Sequence, residues 1–253
     1  MTTPIALQLY TLRDAMVNDL AGVMEKIAEI GFMGVETAYM PEGITPVQIA
    51  QQARANGLAI PAAHCEIPLG EKQQMVLEWM ATFECDTCIW HGWPRHEDYG
   101  SADGVKRLAE LYNRANAVAQ ANGLSFGIHN HWWEVEPVGG TYAYRILAAE
   151  MDESIFFDVD TYWAKTGGLD PAAVLRELGN RVPFLHIKDG PATPDGDMVA
   201  VGQGVMDFPA VFAAAQRPEW VVVELDRCAT DMMTAVQESF NYLTNNDFAK
   251  GKS

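Results

Sequence analysis

Short runs of apolar, β-branched or aromatic residues recur along this chain, and each turns polar at its C-terminal end. They are Pro4–Tyr10, Gly34–Ala38, Ala59–Cys65, Thr87–Trp93, Ser125–His131, Ile155–Asp160, Val182–Lys188 and Val221–Asp226. Between them, at a spacing of about 25–40 residues, lie Ala- and Glu-rich stretches of helical period, the signature of repeated βα units. Helix stops and turns precede several runs, as at Ile30-Gly31-Phe32, Asn56-Gly57 and Asn122-Gly123. Eight such units predict an α/β protein built as a single (β/α)8 TIM barrel. A doubly wound open sheet is the alternative, but it collects ligands at one switch point, whereas here every run ends polar.

Those polar ends are Gln8-Leu9-Tyr10, Glu36, His64, His91, His129-Asn130-His131, Asp158-Val159-Asp160, His186-Ile187-Lys188 and Glu224-Leu225-Asp226. In a closed parallel barrel all the C-terminal strand ends share one face, so these groups converge at its mouth. Strand residues two apart point the same way, which pairs His129 with His131, Asp158 with Asp160, His186 with Lys188 and Glu224 with Asp226. An Asp, a His and a Glu at the ends of strands six, seven and eight form a mixed N/O donor set suited to Mn²⁺, Mg²⁺, Co²⁺ or Zn²⁺. Lys188 is placed to hold a substrate oxygen, its buried charge offset by neighbouring carboxylates. Gln8, Tyr10, Glu36 and His64 are further pocket residues. Trp163, with Trp90, Trp93, Trp132, Trp133 and Tyr162, supplies rings for sugar stacking.

Length and charge narrow the picture. The 253 residues suit one eight-fold barrel over 1–244, with a polar tail at 245–253 expected to fray. A formal net charge of −17, with 17 dispersed Lys and Arg, excludes a nucleic-acid surface. No apolar run is long enough to span a membrane and MTTPIALQLY lacks a secretory pattern, so the cytoplasm is expected. Cys65, Cys85, Cys88 and Cys228 are expected as free thiols. A zinc reading of Cys85, Cys88 and His91 is disfavoured because strand positions three apart face opposite sides. Gly202-Gln203-Gly204 reads as a glycine turn rather than a phosphate cradle, with Asp207 as N-cap of the last helix at Pro209.

Taken in order, LQLYTLRD (Leu7–Asp14), GFMGVE (Gly31–Glu36), AAH (Ala62–His64), GIHNHWWE (Gly127–Glu134), DVDTYWAKTGGLDP (Asp158–Pro171), LHIKD (Leu185–Asp189), VGQGVMDFP (Val201–Pro209) and VVVELD (Val221–Asp226) resemble the xylose-isomerase-like barrel superfamily almost end to end. Its sugar phosphate isomerase/epimerase, inosose dehydratase and 3-keto-sugar lyase branches are the relevant ones. The resemblance implies one divalent metal ion, Mn²⁺ before Mg²⁺, Co²⁺ or Zn²⁺, held by Asp160, His186 and Glu224. The fourth ligand departs from the pattern: His129 stands where epimerases carry Glu in an I-E-N-H motif. That substitution removes one of two opposed carboxylate bases and leaves Glu224 with His129, His131, Glu134 and Lys188 as acid, base and charge-stabilising candidates. The implied activity is isomerisation, epimerisation or carbon–oxygen lysis of a small keto-sugar or cyclitol through an enediolate. Two other readings follow from the same resemblance. One is a non-catalytic sugar-binding or partner-subunit barrel. The other is an abasic-site endonuclease, which needs positive charge and more ligands than this chain offers. Homo-oligomers or a complex with a second subunit fit such barrels.

Overall fold

The computed structural model describes residues 3–38 and 40–252; positions 1, 2, 39 and 253, which include the outermost residues of the expected domain and tail, lie outside the described residues. Each predicted run coincides with a strand shorter than itself, and the eighth strand starts one residue ahead of its run, at Trp220. The strands are β1 (Ile5–Gln8), β2 (Gly34–Glu36), β3 (Ala63–Cys65), β4 (Thr87–Trp90), β5 (Ser125–His129), β6 (Phe156–Asp160), β7 (Phe184–Ile187) and β8 (Trp220–Val223). All their ladders are parallel, in the spatial order β2-β1-β8-β7-β6-β5-β4-β3. The outer pair is joined by bridges at Gly34↔Ala59 and Thr37↔Ala63, so the sheet closes on itself as a single (β/α)8 barrel.

The helices that cover it are α1 (Arg13–Ile30), α2 (Pro46–Ala55), α3 (Gln73–Phe83), α4 (Ala102–Ala121), α5 (Ala143–Glu150), α6 (Thr161–Thr166), α7 (Pro171–Leu178), α8 (Phe208–Ala214) and α9 (Met232–Asn245). Their starts are written locally. Thr45 and Gln48 form a capping box before Pro46, Ser101 caps α4, and Asp170 caps α7 ahead of Pro171. Asp207 caps the helix at Pro209 as expected, but that helix is α8 and not the last; α9 follows β8, capped by Asp231.

Period-two alternation sorts each strand between two interiors. Leu7, Val35, Ile128, Val159, Leu185 and Val223 face outward into the core shared with the helices. Ala6, Ala62, Ile89, Phe156, Phe184 and Val222 face inward and plug the N-terminal end of the barrel. Gly127 belongs to this inward set, and a Cβ there would collide with the Phe156 ring, so the missing side chain makes room for the plug.

The C-terminal tail is tied down rather than frayed. The Ile5 N–H donates to Lys250 O at 3.1 Å, the Lys250 N–H to Thr3 O at 2.8 Å and the Lys252 N–H to Gly31 O at 2.7 Å, while Ala249 is buried. These residues satisfy backbone groups at the start of β1 and the end of α1, which outweighs their polar composition.

Candidate active site

Above the apolar plug, inward positions become ionisable and form two tiers. In the lower tier Gln8 (β1), Glu36 (β2), His64 (β3) and Asp158 (β6) are all buried. The Gln8 amide donates from Nε2 to Glu36 Oε2 at 2.6 Å. His64 Nε2 lies 3.1 Å from both Glu36 Oε2 and Asp158 Oδ2. In the upper tier, two residues further along their strands or just beyond, stand Asp160, Lys188, Glu224 and Asp226. The Lys188 ammonium, itself buried, lies 3.1 Å from Asp160 Oδ2 and 2.9 Å from both Glu224 Oε2 and Asp226 Oδ2.

His129 and His186 connect the tiers. His129 places Nδ1 2.9 Å from Asp158 Oδ2 and Nε2 4.0 Å from Asp160 Oδ2. His186 places Nε2 2.7 Å from Glu36 Oε2 and Nδ1 2.8 Å from Glu224 Oε2. When the lower carboxylates accept the N–H of each ring, the opposite nitrogen is free to face the upper tier, an arrangement that fixes tautomer and ring orientation in metal-binding histidines.

One donor atom each from His129, Asp160, His186 and Glu224 lies within 4.8 Å of the others, the set expected from strands five to eight. Asp160 divides its carboxylate. Oδ1 caps α6 by accepting the Trp163 N–H at 2.8 Å, and Oδ2 is buried without a hydrogen bond, facing the Lys188 ammonium and, at 4.0 Å, His129 Nε2. Two imidazoles and two carboxylates, one of them with an oxygen free of hydrogen bonds, fit a divalent ion such as Mn²⁺, Co²⁺ or Zn²⁺. Cys85, Cys88 and His91 belong to no metal-capable group among the described residues. Cys65 and Cys88, all but inaccessible, approach each other at 2.9 Å between Sγ atoms as free thiols.

Burial and charge compete at each group. Burial alone would lower His64, but the Glu36 charge and the Asp158 hydrogen bond raise it to about 9. Lys188 is likewise held well above its ordinary value, burial being outweighed by Asp160, Asp226 and Glu224. Glu224 falls well below the usual range because the Lys188 charge and the His186 hydrogen bond overcome its burial. His131 moves the other way: burial, then the charges of His129 and Lys188, keeps it well below an ordinary histidine.

The other expected residues divide by depth. His131 stacks on Trp133 with ring centroids 4.4 Å apart, edge-on to His129 at 5.3 Å, and its Nδ1 is buried without a partner. Trp163 is buried beside Trp132, 5.3 Å beneath the Lys188 ammonium. Tyr10 sits at the rim under the Arg13 guanidinium, 4.0 Å from its centroid. Glu134 turns back to accept the His131 N–H at 2.8 Å, and burial pushes its carboxyl up to about 8. It therefore buttresses His131. Gln8, Glu36 and His64 lie beneath the mouth, holding the ligating rings.

Sequence reasoning missed two supports. Asn130, between the two histidines, points to the opposite side of the strand end. It accepts the Asp160 N–H at 2.9 Å and donates to Asp160 O at 3.2 Å, clamping β5 to β6. Asp189 fills the glycine loop. Its Oδ1 accepts the N–H groups of Gly190 and Met206, and its Oδ2 those of Gly202 and Gly204, at 2.9–3.2 Å. A Cβ on Gly204 would overlap Asp189, so the glycine is needed for this close approach. The N–H groups that a phosphate would use are taken by the chain's own carboxylate. The local signal for both was position: one polar residue immediately beside each ligand motif.

A family model described as xylose isomerase-like TIM barrel matches residues 24–246, and the chain belongs to that family. An inosose dehydratase from Clostridium beijerinckii (strain ATCC 51743 / NCIMB 8052) is 25% identical over 164 residues, covering 57% of this chain and 53% of that protein. The chain thus matches about half the length of this curated relative. A sugar phosphate isomerase/epimerase from Parabacteroides distasonis ATCC 8503 superposes with a TM-score of 0.82 at 24% identity, covering 99% of this chain and 96% of the other. The IOLI protein, solved with a zinc atom, superposes with a TM-score of 0.69 at 16% identity over 100% of both chains. At these identities the structural likenesses show the fold alone.

Proposed function

We propose that this member of the xylose isomerase-like TIM barrel family is a divalent-metal-dependent enzyme that removes the proton beside the carbonyl of an unphosphorylated keto-sugar or cyclitol, as the first step of a lyase reaction. The observation that carries the proposal is the convergence of His129, Asp160, His186 and Glu224 donors within 4.8 Å of one another, beside a histidine outside that set. A divalent ion on these four would supply Lewis acidity, making a proton next to a chelated carbonyl easier to remove.

The chain's own groups do the rest. His131 is not tied to either carboxylate tier, and its Nε2, opposite the buried Nδ1, takes the proton. The same nitrogen returns it to the β-oxygen, which departs as water from a keto-cyclitol or as the aglycone alcohol from a 3-keto-glucoside, while the carbon–carbon double bond forms. Lys188 stays charged between Asp160, Glu224 and Asp226 and donates to a substrate oxygen, stabilising negative charge as it develops. Trp132, Trp133 and Trp163 wall this space and exclude water. Elimination is favoured over epimerisation because His129, in the place of a second Glu base, is engaged by Asp158. The engagement of Gly202 and Gly204 by Asp189 supports an unphosphorylated substrate.

The test is NMR of a 3-keto-glucoside incubated in D₂O with the metal-loaded chain. Deuterium entering the carbon beside the carbonyl, followed by an unsaturated product, is expected, and His131→Gln should abolish both while the ion stays bound. Metal bound without any exchange would sink the proposal, and exchange with a stereoisomer as product would turn it to epimerisation.

A further inference from the structure

The lower tier has a geometry of its own. His64 Nε2, Glu36 Oε2, His186 Nε2 and Asp158 Oδ2 form a closed ring of alternating nitrogen and oxygen. Its edges are 3.1, 2.7, 3.2 and 3.1 Å. The four residues come from β2, β3, β7 and β6 and are buried. Each ring nitrogen carries at most one proton, so two hydrogens have to serve four close N···O approaches. The second oxygens, Glu36 Oε1 and Asp158 Oδ1, are buried with no hydrogen-bond partner.

A tetrahedral ion with bonds of about 2.0–2.1 Å to nitrogen and oxygen spaces its ligands about 3.3–3.4 Å apart. Three edges of the ring lie within about 0.3 Å of that spacing, and the His186–Glu36 edge is about 0.6–0.7 Å shorter, so this contact has to open for an ion to enter. Charge points the same way. Glu36, Asp158, Asp160 and Glu224 are buried carboxylates; Lys188 faces Asp160 and Glu224, whereas Glu36 and Asp158 form ion pairs only with the imidazoles of His64, His129 and His186 among the described residues. A buried carboxylate pair without a lysine or arginine beside it is stabilised by a cation, which here would take the place of the imidazole protons.

The geometry points to a second divalent-cation position in the lower tier, formed by Glu36, His64, Asp158 and His186 and suited to a zinc-type ion. It is distinct from the upper set and does not depend on the reaction proposed above. His186 makes the two positions exclusive. With an ion on Nε2, the ring proton sits on Nδ1 and is donated to Glu224 Oε2, 2.8 Å away. With an ion on Nδ1, the proton sits on Nε2 and is donated to Glu36 Oε2, 2.7 Å away. One proton thus allots a single ion to one tier or the other, and the lower position is closed by four protein ligands, as in structural zinc sites.

Zinc binding to the chelator-stripped chain, measured by calorimetry and by elemental analysis after gel filtration, tests this. Wild type, His64→Gln and Asp160→Asn should each retain one zinc ion per chain, and the double variant should retain none. Glu36→Gln serves in place of His64→Gln if that variant fails to fold, as judged by circular dichroism. Loss of all zinc from Asp160→Asn, with His64→Gln unaffected, overturns the lower position and leaves the proposed function standing. Loss of all zinc from His64→Gln, with Asp160→Asn unaffected, supports the lower position and removes the metal from the proposed reaction. Two zinc ions in wild type keep the site but overturn the exclusion through His186.

Discussion

The two ends of the barrel interior are built from the same inward-facing positions yet obey opposite rules. At the N-terminal end Ala6, Ala62, Ile89, Phe156, Phe184 and Val222 fill space and hold no polar side-chain atoms. Two residues further along the same strands stand Gln8, His64, His91, Asp158, His186 and Glu224, most of them buried, with Asp158 Oδ1 left without a partner. The plug contributes stability through packing, and the mouth spends some of it to keep charge and donor atoms pre-positioned. The difference teaches that burial alone does not identify the role of a barrel residue; depth along the strand does.

The largest expected effect lies in the plug. Phe156→Ala should cost about 3–5 kcal/mol of unfolding free energy while zinc affinity, measured on folded protein, stays near wild type. A matching loss of zinc affinity would break the separation of the two ends. Asp189→Ala is the exception at the mouth, because this carboxylate serves only backbone N–H groups. Removing it should cost about 3 kcal/mol by denaturant titration with or without zinc, and a loss seen only with zinc present would place Asp189 among the ion-binding groups instead. Asn130→Ala sharpens the contrast from the other side: stability should fall by about 1 kcal/mol, but zinc affinity about tenfold, because Asp160 loses its clamp. Unchanged affinity would reduce Asn130 to a strand-end staple.

The remaining effect depends on pH and builds up over several pH units. Glu134 titrates near 4.5 in the unfolded chain and at about 8 when folded, so between those values the folded state alone keeps the proton. Stability contributed by the protonated carboxyl is therefore full below pH 4.5 and falls as pH rises toward 8, by roughly 1.4 kcal/mol per unit at the steepest. Glu134→Gln should flatten that slope in urea titrations from pH 5 to 8. Parallel slopes for the two proteins would show that Glu134 is not the group responsible.

Much of this was legible in one dimension. The eight runs, their polar C-terminal ends and the period of two were enough to predict the barrel, its mouth and the pairing of His129 with His131, Asp158 with Asp160, and His186 with Lys188. Local rules also placed the cap at Asp207, because a cap is decided within four residues. The polar tail misled because Lys250 and Lys252 find their partners at Thr3, Ile5 and Gly31, far away in sequence.

What the sequence determined by itself is which side of each strand faces inward and which end is polar, since alternation and polarity are properties of single segments. Only the tertiary structure decided depth and neighbours. Barrel closure and the stagger between strands bring Glu36 and His64 under His186, turn Asp158 into the partner of three histidines, and set Asp189 into the loop at Gly202–Gly204. Those contacts join segments up to 150 residues apart, and their registry comes from closing the sheet rather than from any local preference.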